Sequence, residues 1–323
     1  MDISKYSDAL VDHLEQKVTL KEPASLYQPI KYILTLGGKR LRPVLTLMSA
    51  DFFGGEYKEA LDASLAVEMF HNFSLVHDDI MDNAPLRRGN KTVHEKWDVN
   101  TGILSGDAML ILAYQLFETY TPEVFMQLAV LFSKTALEVC EGQQYDVDFE
   151  TRNDVTIPEY IKMIEFKTAV LIGASLQMGA IIANASESCK EKIYAFGKNL
   201  GIAFQLQDDY LDAFGNPLTF GKQVGGDIMA NKKTFLYLTA LRKSTDAQAK
   251  TLTSLFSTSP SDPLKKVAAV KEIFIETGAA KATEKEILRY TNASISLLDD
   301  IKISKAHKET LKSFADFLMN RNV

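Results

Sequence analysis

The chain has 323 residues, of which 46% are hydrophobic, and a formal net charge of -6. This composition is rich enough in apolar residues for a large buried core and argues against disorder. The negative charge argues against non-specific nucleic-acid binding as the main task, although metal ions could still bring an anionic substrate to an acidic site.

The apolar residues recur at helical rather than strand-like spacing, and only nine prolines and seventeen glycines interrupt them. We predict two helices before residue 37, with a break near Pro23, a third ending near Phe53, and a fourth from about Glu56 to Asn83. Further helices are predicted over about 100–120, 122–149, 157–166, 168–185 and 187–214, and from about 228 onward. The expected fold is all-α: a single domain over 1–323, forming one large helical bundle around a central apolar cavity.

We expect no secretory signal in residues 1–6, which lack an apolar run. The uncharged stretch 168–186 is long enough to cross a bilayer, but Ser175, Gln177 and Asn184 favour a buried core helix. Cys140 and Cys189 have neither metal-site nor disulfide spacing and are predicted to be buried thiols. The protein is therefore predicted to be cytoplasmic and not an integral membrane protein.

Asp78 and Asp82 lie four residues apart on a predicted helix, with Asp79 beside them, so their carboxylates project from one region. Such a cluster is self-repelling unless cations offset it. Hard oxygen donors on a rigid helix suit Mg²⁺, and the spacing does not fit an EF-hand loop. Alone, this cluster could also be a solvated acidic turn at a helix end.

A second cluster, Asp208, Asp209 and Asp212, repeats the spacing after the apolar stretch 203–207. Two such clusters, each late in a mostly apolar helix, predict opposed carboxylate rims around one cavity. Basic residues lie close to both clusters in the sequence. Arg87 and Arg88 follow the first cluster, and Lys222, Lys232 and Lys233 follow the second, while Lys39, Arg40 and Arg42 form a separate group before the first. Diphosphate chemistry requires metal ions together with basic side chains.

Taken together, these motifs resemble the trans-prenyltransferase family, as in farnesyl and geranylgeranyl diphosphate synthases. The resemblance runs from residue 37 to about 234, in the family's order. It rests on Gly-Gly-Lys-Arg-Leu-Arg-Pro (37–43), the first aspartate cluster with Leu-Arg-Arg-Gly (86–89), Gly142-Gln143 with Asp146, Lys167-Thr168, Gln205 with the second cluster, and the segment from Gly221-Lys222 to Lys232.

The resemblance implies a magnesium-dependent enzyme, a homodimer, that joins isopentenyl diphosphate to an allylic diphosphate. About three Mg²⁺ ions would be bound by Asp78, Asp82 and Asp208, with Asp79 and Asp212 supporting metal-bound waters. The allylic diphosphate would contact Arg87, Lys167, Lys222 and Lys232, while Thr168 and Gln205 would shield the allylic cation. Isopentenyl diphosphate would contact Lys39, Arg42, His71 and Arg88.

Product length would be set below the first cluster. Residues four and five before Asp78, namely Ser74 and Phe73, are expected to point down the same side of the helix, about 6–7.5 Å lower. Phe73 could form the floor of the tunnel, whereas Ser74 leaves room, which predicts products of C15 to C20 with C20 favoured. Phe73 could alternatively be an ordinary core residue, and His71 a satisfied core histidine.

Several rival functions share part of this pattern. A terpene cyclase would keep the first cluster but not the second, or the Lys39/Arg42 site. A non-catalytic regulatory subunit would be expected to have lost the clusters, and a head-to-head synthase would not need the isopentenyl site. A farnesyl diphosphate synthase or a longer-chain synthase remains open as an alternative.

Overall fold

A computed structural model describes residues 3–216, 224–257 and 263–319. The first helices are α1 (Ser4–Lys17), α2 (Ala24–Thr35), α3 (Leu41–Phe52), α4 (Leu61–Met81), α5 (Val93–Lys96), α6 (Val99–Gln115) and α7 (Pro122–Thr151). They are followed by α8 (Ile157–Ile164), α9 (Val170–Ile182), α10 (Glu187–Phe214), α11 (Gly226–Met229), α12 (Phe235–Lys243), α13 (Asp246–Ser257), α14 (Pro263–Glu276), α15 (Ala279–Leu297) and α16 (Lys305–Met319). The predicted all-α class is confirmed.

The remaining regular structure consists of short pieces. Three 3₁₀ turns cover Tyr57–Ala60, Leu116–Thr119 and Leu298–Asp300, and a π-helical turn covers Glu165–Ala169. Within the described ranges the only strands are β1 (Leu86–Arg87) and β2 (Asn90–Lys91), which pair antiparallel with Leu86 opposite Lys91.

The chain divides into two compact units. The first comprises Met1–Thr135, Leu171–Tyr194 and Ile301–Ser304, and the second comprises Ala136–Val170, Ala195–Asp300 and Lys305–Val323. The expectation of one domain over 1–323 stays a prediction.

In the first unit, α4 packs along α6 and against α3. Gly106 on α6 permits the close approach, because a Cβ there would lie 2.3 Å from Nε2 of His77 on α4. Helix α4 ends after Met81, where Asn83 takes a φ of +50° and Pro85 then prevents continuation. The first aspartate cluster is therefore held at the end of a helix fixed along its length.

In the second unit, the core gathers apolar side chains of α8, α10, α12 and α14, including Ile164, Leu206, Leu236, Val270 and Phe274. Helix α8 begins with a capping box between Thr156 and Glu159. Some members of this core, Ile164 among them, border the cavity described below.

The stretch Ile157–Ile182, comprising α8, the π-helical turn and α9, is long and apolar enough to span a membrane. However, 83% of its most apolar window is buried within the protein, the pattern of a core helix.

The prediction for the cysteines was right for Cys189, which is buried, and wrong for Cys140, which is exposed. Cys140 lies on the outward face of α7, in the i, i+3, i+4 register of the exposed residues Ser133 and Leu137. The apolar periodicity of α7 made this outward stripe indistinguishable from a buried one.

Candidate active site

The first aspartate cluster lies at the C-terminal end of α4 in the first unit. Asp79 is almost fully buried, with 1% of its side chain exposed, and Arg87 in β1 encloses it. The Arg87 Nε donates to Oδ1 and Oδ2 of Asp79 at 2.9 and 2.8 Å, and Nη2 of Arg87 lies 2.7 Å from Oδ1. The short hairpin thus serves to place Arg87 against the cluster.

Asp78 and Asp82 are more exposed to solvent than Asp79. Nη2 of Arg87 is 3.6 Å from Oδ2 of Asp78, and Asp82 is the C-cap of the helix. The C-terminal end of a helix carries a partial negative charge, so three carboxylates there are unfavourable without cations. This position strengthens the argument for cation binding.

The basic group predicted for a second diphosphate lies in the same unit, around the glycine turn before α3. Nη1 of Arg88 donates to the carbonyl oxygen of Gly37, and a Cβ on Gly38 would lie 2.9 Å from Cζ of Arg88. Only glycine, with its φ of +132°, fits beneath this guanidinium. Lys39, next in sequence, is exposed.

His71 faces the same arginines. Its Nε2 lies 3.5 Å from Nη1 of Arg42. Burial, and then the positive charges of Arg42, Arg88 and Arg87, lower the pKa of His71 well below its usual value. His71 is therefore neutral near pH 7 and can donate or accept a hydrogen bond without adding charge.

Glu68, one turn before His71 and Asn72, was missed as a site residue. It is 2% exposed, its Oε1 accepts from Nδ2 of Asn72 at 3.0 Å, and burial raises its pKa against the opposing charges of Arg40, Arg42 and Arg88. A single acidic residue in an apolar helical stretch was the signal available in the sequence. Glu68 therefore places a carboxyl group within the electrostatic reach of Arg40, Arg42 and Arg88.

The structure separates Ser74 from Phe73, which were expected on one side of α4. Ser74 is half-buried one turn before Asp78, and its Oγ donates to the carbonyl oxygen of His71 at 2.8 Å. Phe73 is buried, with its ring centroid 5.5 Å from Phe70 and 4.8 Å from His77. Because an α-helix turns about 100° per residue, Phe73, five residues before Asp78, points well away from the side of the helix that carries Asp78. Their roles in chain length stay predictions.

The second cluster lies on α10 in the second unit. Asp208 and Asp212 are half-buried and one turn apart, whereas Asp209 is only 6% exposed. Asp212 anchors the start of α11: its Oδ2 accepts from the backbone N–H of Asp227 at 2.9 Å, and its carbonyl oxygen accepts from that of Gly225 at 2.6 Å. Asp227, which the sequence reasoning did not single out, is thereby brought beside the cluster.

A buried hydrogen-bonded chain continues from Asp209. Oη of Tyr160 donates to Oδ2 of Asp209, and Nε2 of Gln205 donates to Oδ1 at 3.1 Å. The Thr168 Oγ1 donates to Oε1 of Gln205 at 3.3 Å. Burial and the charge of Asp227 raise the pKa of Asp209 well above its usual value, while the bonds from Tyr160 and Gln205 act in the opposite direction. Burial and the charge of Asp209 raise the pKa of Tyr160, so it remains a donor.

Lys167 and Thr168 are presented by the π-helical turn. Nζ of Lys167 lies 2.7 Å from Oδ2 of Asp146 on α7. Gly142 allows this approach, because a Cβ there would lie 2.2 Å from the backbone nitrogen of Lys167. Both residues belong to motifs noted in the sequence, but the sequence did not predict the ion pair between them.

Asp209 and its hydrogen-bonded partners border a cavity of about 580 Å³ within the second unit, whereas Asp208 and Asp212 are not among its lining residues. Lys167, Thr168, Gln205 and Lys232, all predicted as site residues, share it with several that were not, among them Asp146, Tyr160, Asp227 and Lys233. Nζ of Lys233 donates to the backbone carbonyl oxygens of Phe149 and Glu150, at 2.7 and 3.0 Å. Burial lowers the pKa of Lys233. Lys222 lies outside the described residues.

Within the described ranges, no three carboxylate, histidine or cysteine side chains converge closely enough to hold an ion by themselves. Mg²⁺ seldom uses such a cage; it takes one or two carboxylates and completes its shell with phosphate oxygens and water. The carboxylate pairs Asp78/Asp82 and Asp208/Asp212 fit that requirement.

Comparison with known proteins identifies the family. The family model described as polyprenyl synthetase matches residues 23–273. A short chain isoprenyl diphosphate synthase of Methanothermobacter thermautotrophicus is 34% identical over 99% of this chain and 98% of its own. A geranylgeranyl diphosphate synthase of Methanosarcina mazei is also 34% identical, over 98% and 95%. The chain therefore belongs to the polyprenyl synthetase family.

Solved structures agree. The crystal structure of a geranylgeranyl pyrophosphate synthase is 54% identical, covers 99% of both chains and superposes with a TM-score of 0.96. That of a Corynebacterium glutamicum geranylgeranyl pyrophosphate synthase, complexed with isoprenyl diphosphate and magnesium, is 27% identical over 99% of this chain and 100% of its own, with a TM-score of 0.86. The predicted trans-prenyltransferase resemblance, helical fold and short-chain prenyl diphosphate synthase function are confirmed.

Proposed function

We propose that this enzyme condenses isopentenyl diphosphate with an allylic diphosphate, namely dimethylallyl, geranyl or farnesyl, to give C15 to C20 products, with geranylgeranyl diphosphate favoured. The observation that carries the proposal is the 54% identity, over 99% of both chains, with a geranylgeranyl pyrophosphate synthase. The small side chain of Ser74, one turn before Asp78, is consistent with the longer product.

The allylic diphosphate is assigned to the aspartate clusters. Asp78, Asp82 and Asp208 would hold about three Mg²⁺ ions, with Asp79 and Asp212 in supporting positions. Bound Mg²⁺ supplies positive charge that stabilises the departing diphosphate. The magnesium in the Corynebacterium glutamicum structure supports this choice of ion.

The residues of the chain perform the remaining tasks. Arg87, Lys167, Lys222 and Lys232 bind the allylic diphosphate and neutralise the charge it gains as its C–O bond breaks. Thr168 and Gln205 present oxygen atoms to the allylic cation, and the apolar walls exclude water that would quench it. The isopentenyl double bond then forms the new C–C bond, and the proton lost passes to the departed diphosphate.

Isopentenyl diphosphate is assigned to the basic group of the first unit. Lys39, Arg42 and Arg88 contribute positive charge, and the neutral His71 contributes a hydrogen bond beside Arg42. The guanidinium groups of Arg42 and Arg88 can bind a diphosphate directly through paired hydrogen bonds, so this group suits a diphosphate bound without metal.

We further propose that the enzyme is a homodimer in the cytoplasm and is not embedded in a membrane. Apolar side chains are strongly exposed on α6 and on the first half of α7: Leu104 at 60%, Ile111 at 59%, Met126 at 64% and Val130 at 63%. Repeated apolar exposure on long helices is typical of an interface between protein chains. A second copy of this chain is the proposed occupant.

Steady-state kinetics with each substrate varied in turn tests the assignment of the two sites. Lys39→Ala should raise KM for isopentenyl diphosphate about tenfold and leave KM for the allylic substrate nearly unchanged, and Lys232→Ala should do the reverse. A chelator should abolish turnover and added Mg²⁺ restore it. Equal effects of both variants on both KM values would contradict the assignment.

A further inference from the structure

Gln205 borders the cavity of the second unit with its amide held from both ends. Its Nε2 lies 3.1 Å from Oδ1 of Asp209, one turn further along α10, and its Oε1 lies 3.3 Å from Oγ1 of Thr168. An amide can present either its oxygen or its nitrogen to a neighbour, and only its hydrogen-bond partners decide which. The partners here therefore determine what Gln205 offers to the cavity.

Asp209 makes that choice in its ionised form, which the bonds from Tyr160 and Gln205 favour, because both carboxylate oxygens then accept. Oδ2 accepts from Oη of Tyr160, and Oδ1 is left for Nε2 of Gln205. An acceptor at this point requires the nitrogen of the amide, so the oxygen of Gln205 must point toward Thr168. The reversed amide would place an oxygen against an oxygen at Asp209.

Tyr160 is the fixed end of this chain. It is 3% exposed and lies on α8 in the second unit's core. Its ring is held by packing, so its hydroxyl is a rigid donor to Asp209. Removal of that hydroxyl would leave one buried oxygen of Asp209 without its donor, and the carboxyl would then be able to turn.

We propose that Tyr160 is a positioning residue that, through Asp209, holds the Gln205 amide with its oxygen toward the allylic cation. The inference rests on the proposed function, in which Gln205 and Thr168 face that cation. An oxygen dipole stabilises developing positive charge, whereas an NH₂ group in its place would oppose it. The tyrosine therefore acts on the chemical step and not on substrate affinity.

The test uses Tyr160→Phe, which removes only the hydroxyl, and Tyr210→Phe as its matched control. Tyr210 also donates to a carboxylate, Oε1 of Glu284 at 2.8 Å, but outside this chain of bonds. Tyr160→Phe should lower kcat about tenfold, with both KM values and the Mg²⁺ half-saturation within about threefold of wild type. Tyr210→Phe should leave kcat within about twofold.

A double-mutant cycle separates positioning from general damage to the core. Once Gln205→Leu has removed the amide, Tyr160→Phe should lower kcat by less than about twofold further, because there is nothing left to orient. Should Tyr160→Phe fail to fold, Asp209→Asn in the same cycle replaces it, since its amide can place a donor against Gln205. Independent, multiplying losses, or a change confined to KM or Mg²⁺ half-saturation, would overturn the proposal. An inactive wild type would instead count against the proposed function.

Discussion

Nε of Arg87 donates to both carboxylate oxygens of Asp79, at 2.9 and 2.8 Å, and Nη2 of Arg87 lies 2.7 Å from Oδ1. Asp79 is 1% exposed and Arg87 is 24% exposed, so the arginine satisfies a charge that water cannot reach. Removing one partner of a buried pair is costly, because the other charge stays buried and unpaired.

We therefore expect Arg87→Leu to lower the free energy of unfolding by about 3 kcal/mol. Arg88→Leu, its neighbour in the hairpin, is the control and should cost about 1 kcal/mol or less, because Arg88 is exposed. Denaturant unfolding of both variants measures the difference. Similar losses in the two variants would show that the Arg87–Asp79 pair contributes little.

His71 gives a prediction for pH. The folded protein holds the pKa of His71 well below its usual value of 6.5, through burial and the charges of Arg42, Arg88 and Arg87. Below about pH 6.5 the unfolded chain binds a proton there that the folded chain does not, so stability is present above that pH and is lost as pH falls.

Between about pH 7 and about pH 5.5, the free energy of unfolding of the wild type should fall about 1 kcal/mol more than that of His71→Gln. The glutamine variant controls for all other titrating groups, because it keeps a polar side chain that does not titrate. Denaturant titrations across this range measure both slopes, and parallel slopes would mean that His71 titrates normally in the folded protein.

Product length should respond to the two residues before Asp78. Ser74→Phe places bulk on the half-buried stripe one turn below Asp78 and should shorten the products. Phe73→Ala opens the aromatic cluster with Phe70 and His77 and should lengthen them. Mass analysis of the products gives the answer, with the exposed Phe317→Ala as a control for the same substitution. Unchanged products in both variants would remove these residues from chain-length control.

The proposed dimer depends on the exposed apolar stripe of α6 and α7. The double variant Met126→Glu with Val130→Glu should convert a particle of two chains into one of a single chain, as measured by light scattering, because it would bury charges at the interface. Leu264→Glu should leave the dimer intact; Leu264 is 74% exposed on α14, a helix that is not part of that stripe. A double variant that remains dimeric would locate the interface elsewhere.

The sequence predicted most helices to within a few residues, because their apolar periodicity is strong and Pro23, Pro85 and the glycine pairs mark their ends. Lys167, Thr168 and Gln205, which belong to recognisable motifs, border the second unit's cavity, and their roles there stay predictions. These features depend on local spacing, which a sequence displays directly.

Contacts between distant residues could not be predicted in the same way. Tyr160 and Asp209 are 49 positions apart, and Lys167 and Asp146 are 21 apart on different helices. The π-helical turn at Glu165–Ala169 leaves no periodic signature, and the outward face of α7 looked buried because its residues are apolar. The opposition of the two aspartate clusters across one cavity remains a prediction from their spacing and the family resemblance.

The central claim is that this enzyme elongates allylic diphosphates. The most direct measurement is to incubate it with isopentenyl diphosphate, Mg²⁺ and, separately, the C5, C10 and C15 allylic diphosphates, and to determine the product masses. Elongation of the primers, with C20 as the main final product, is the result that the structure and the family predict. No elongation of any primer by a folded, magnesium-supplied enzyme would contradict the account.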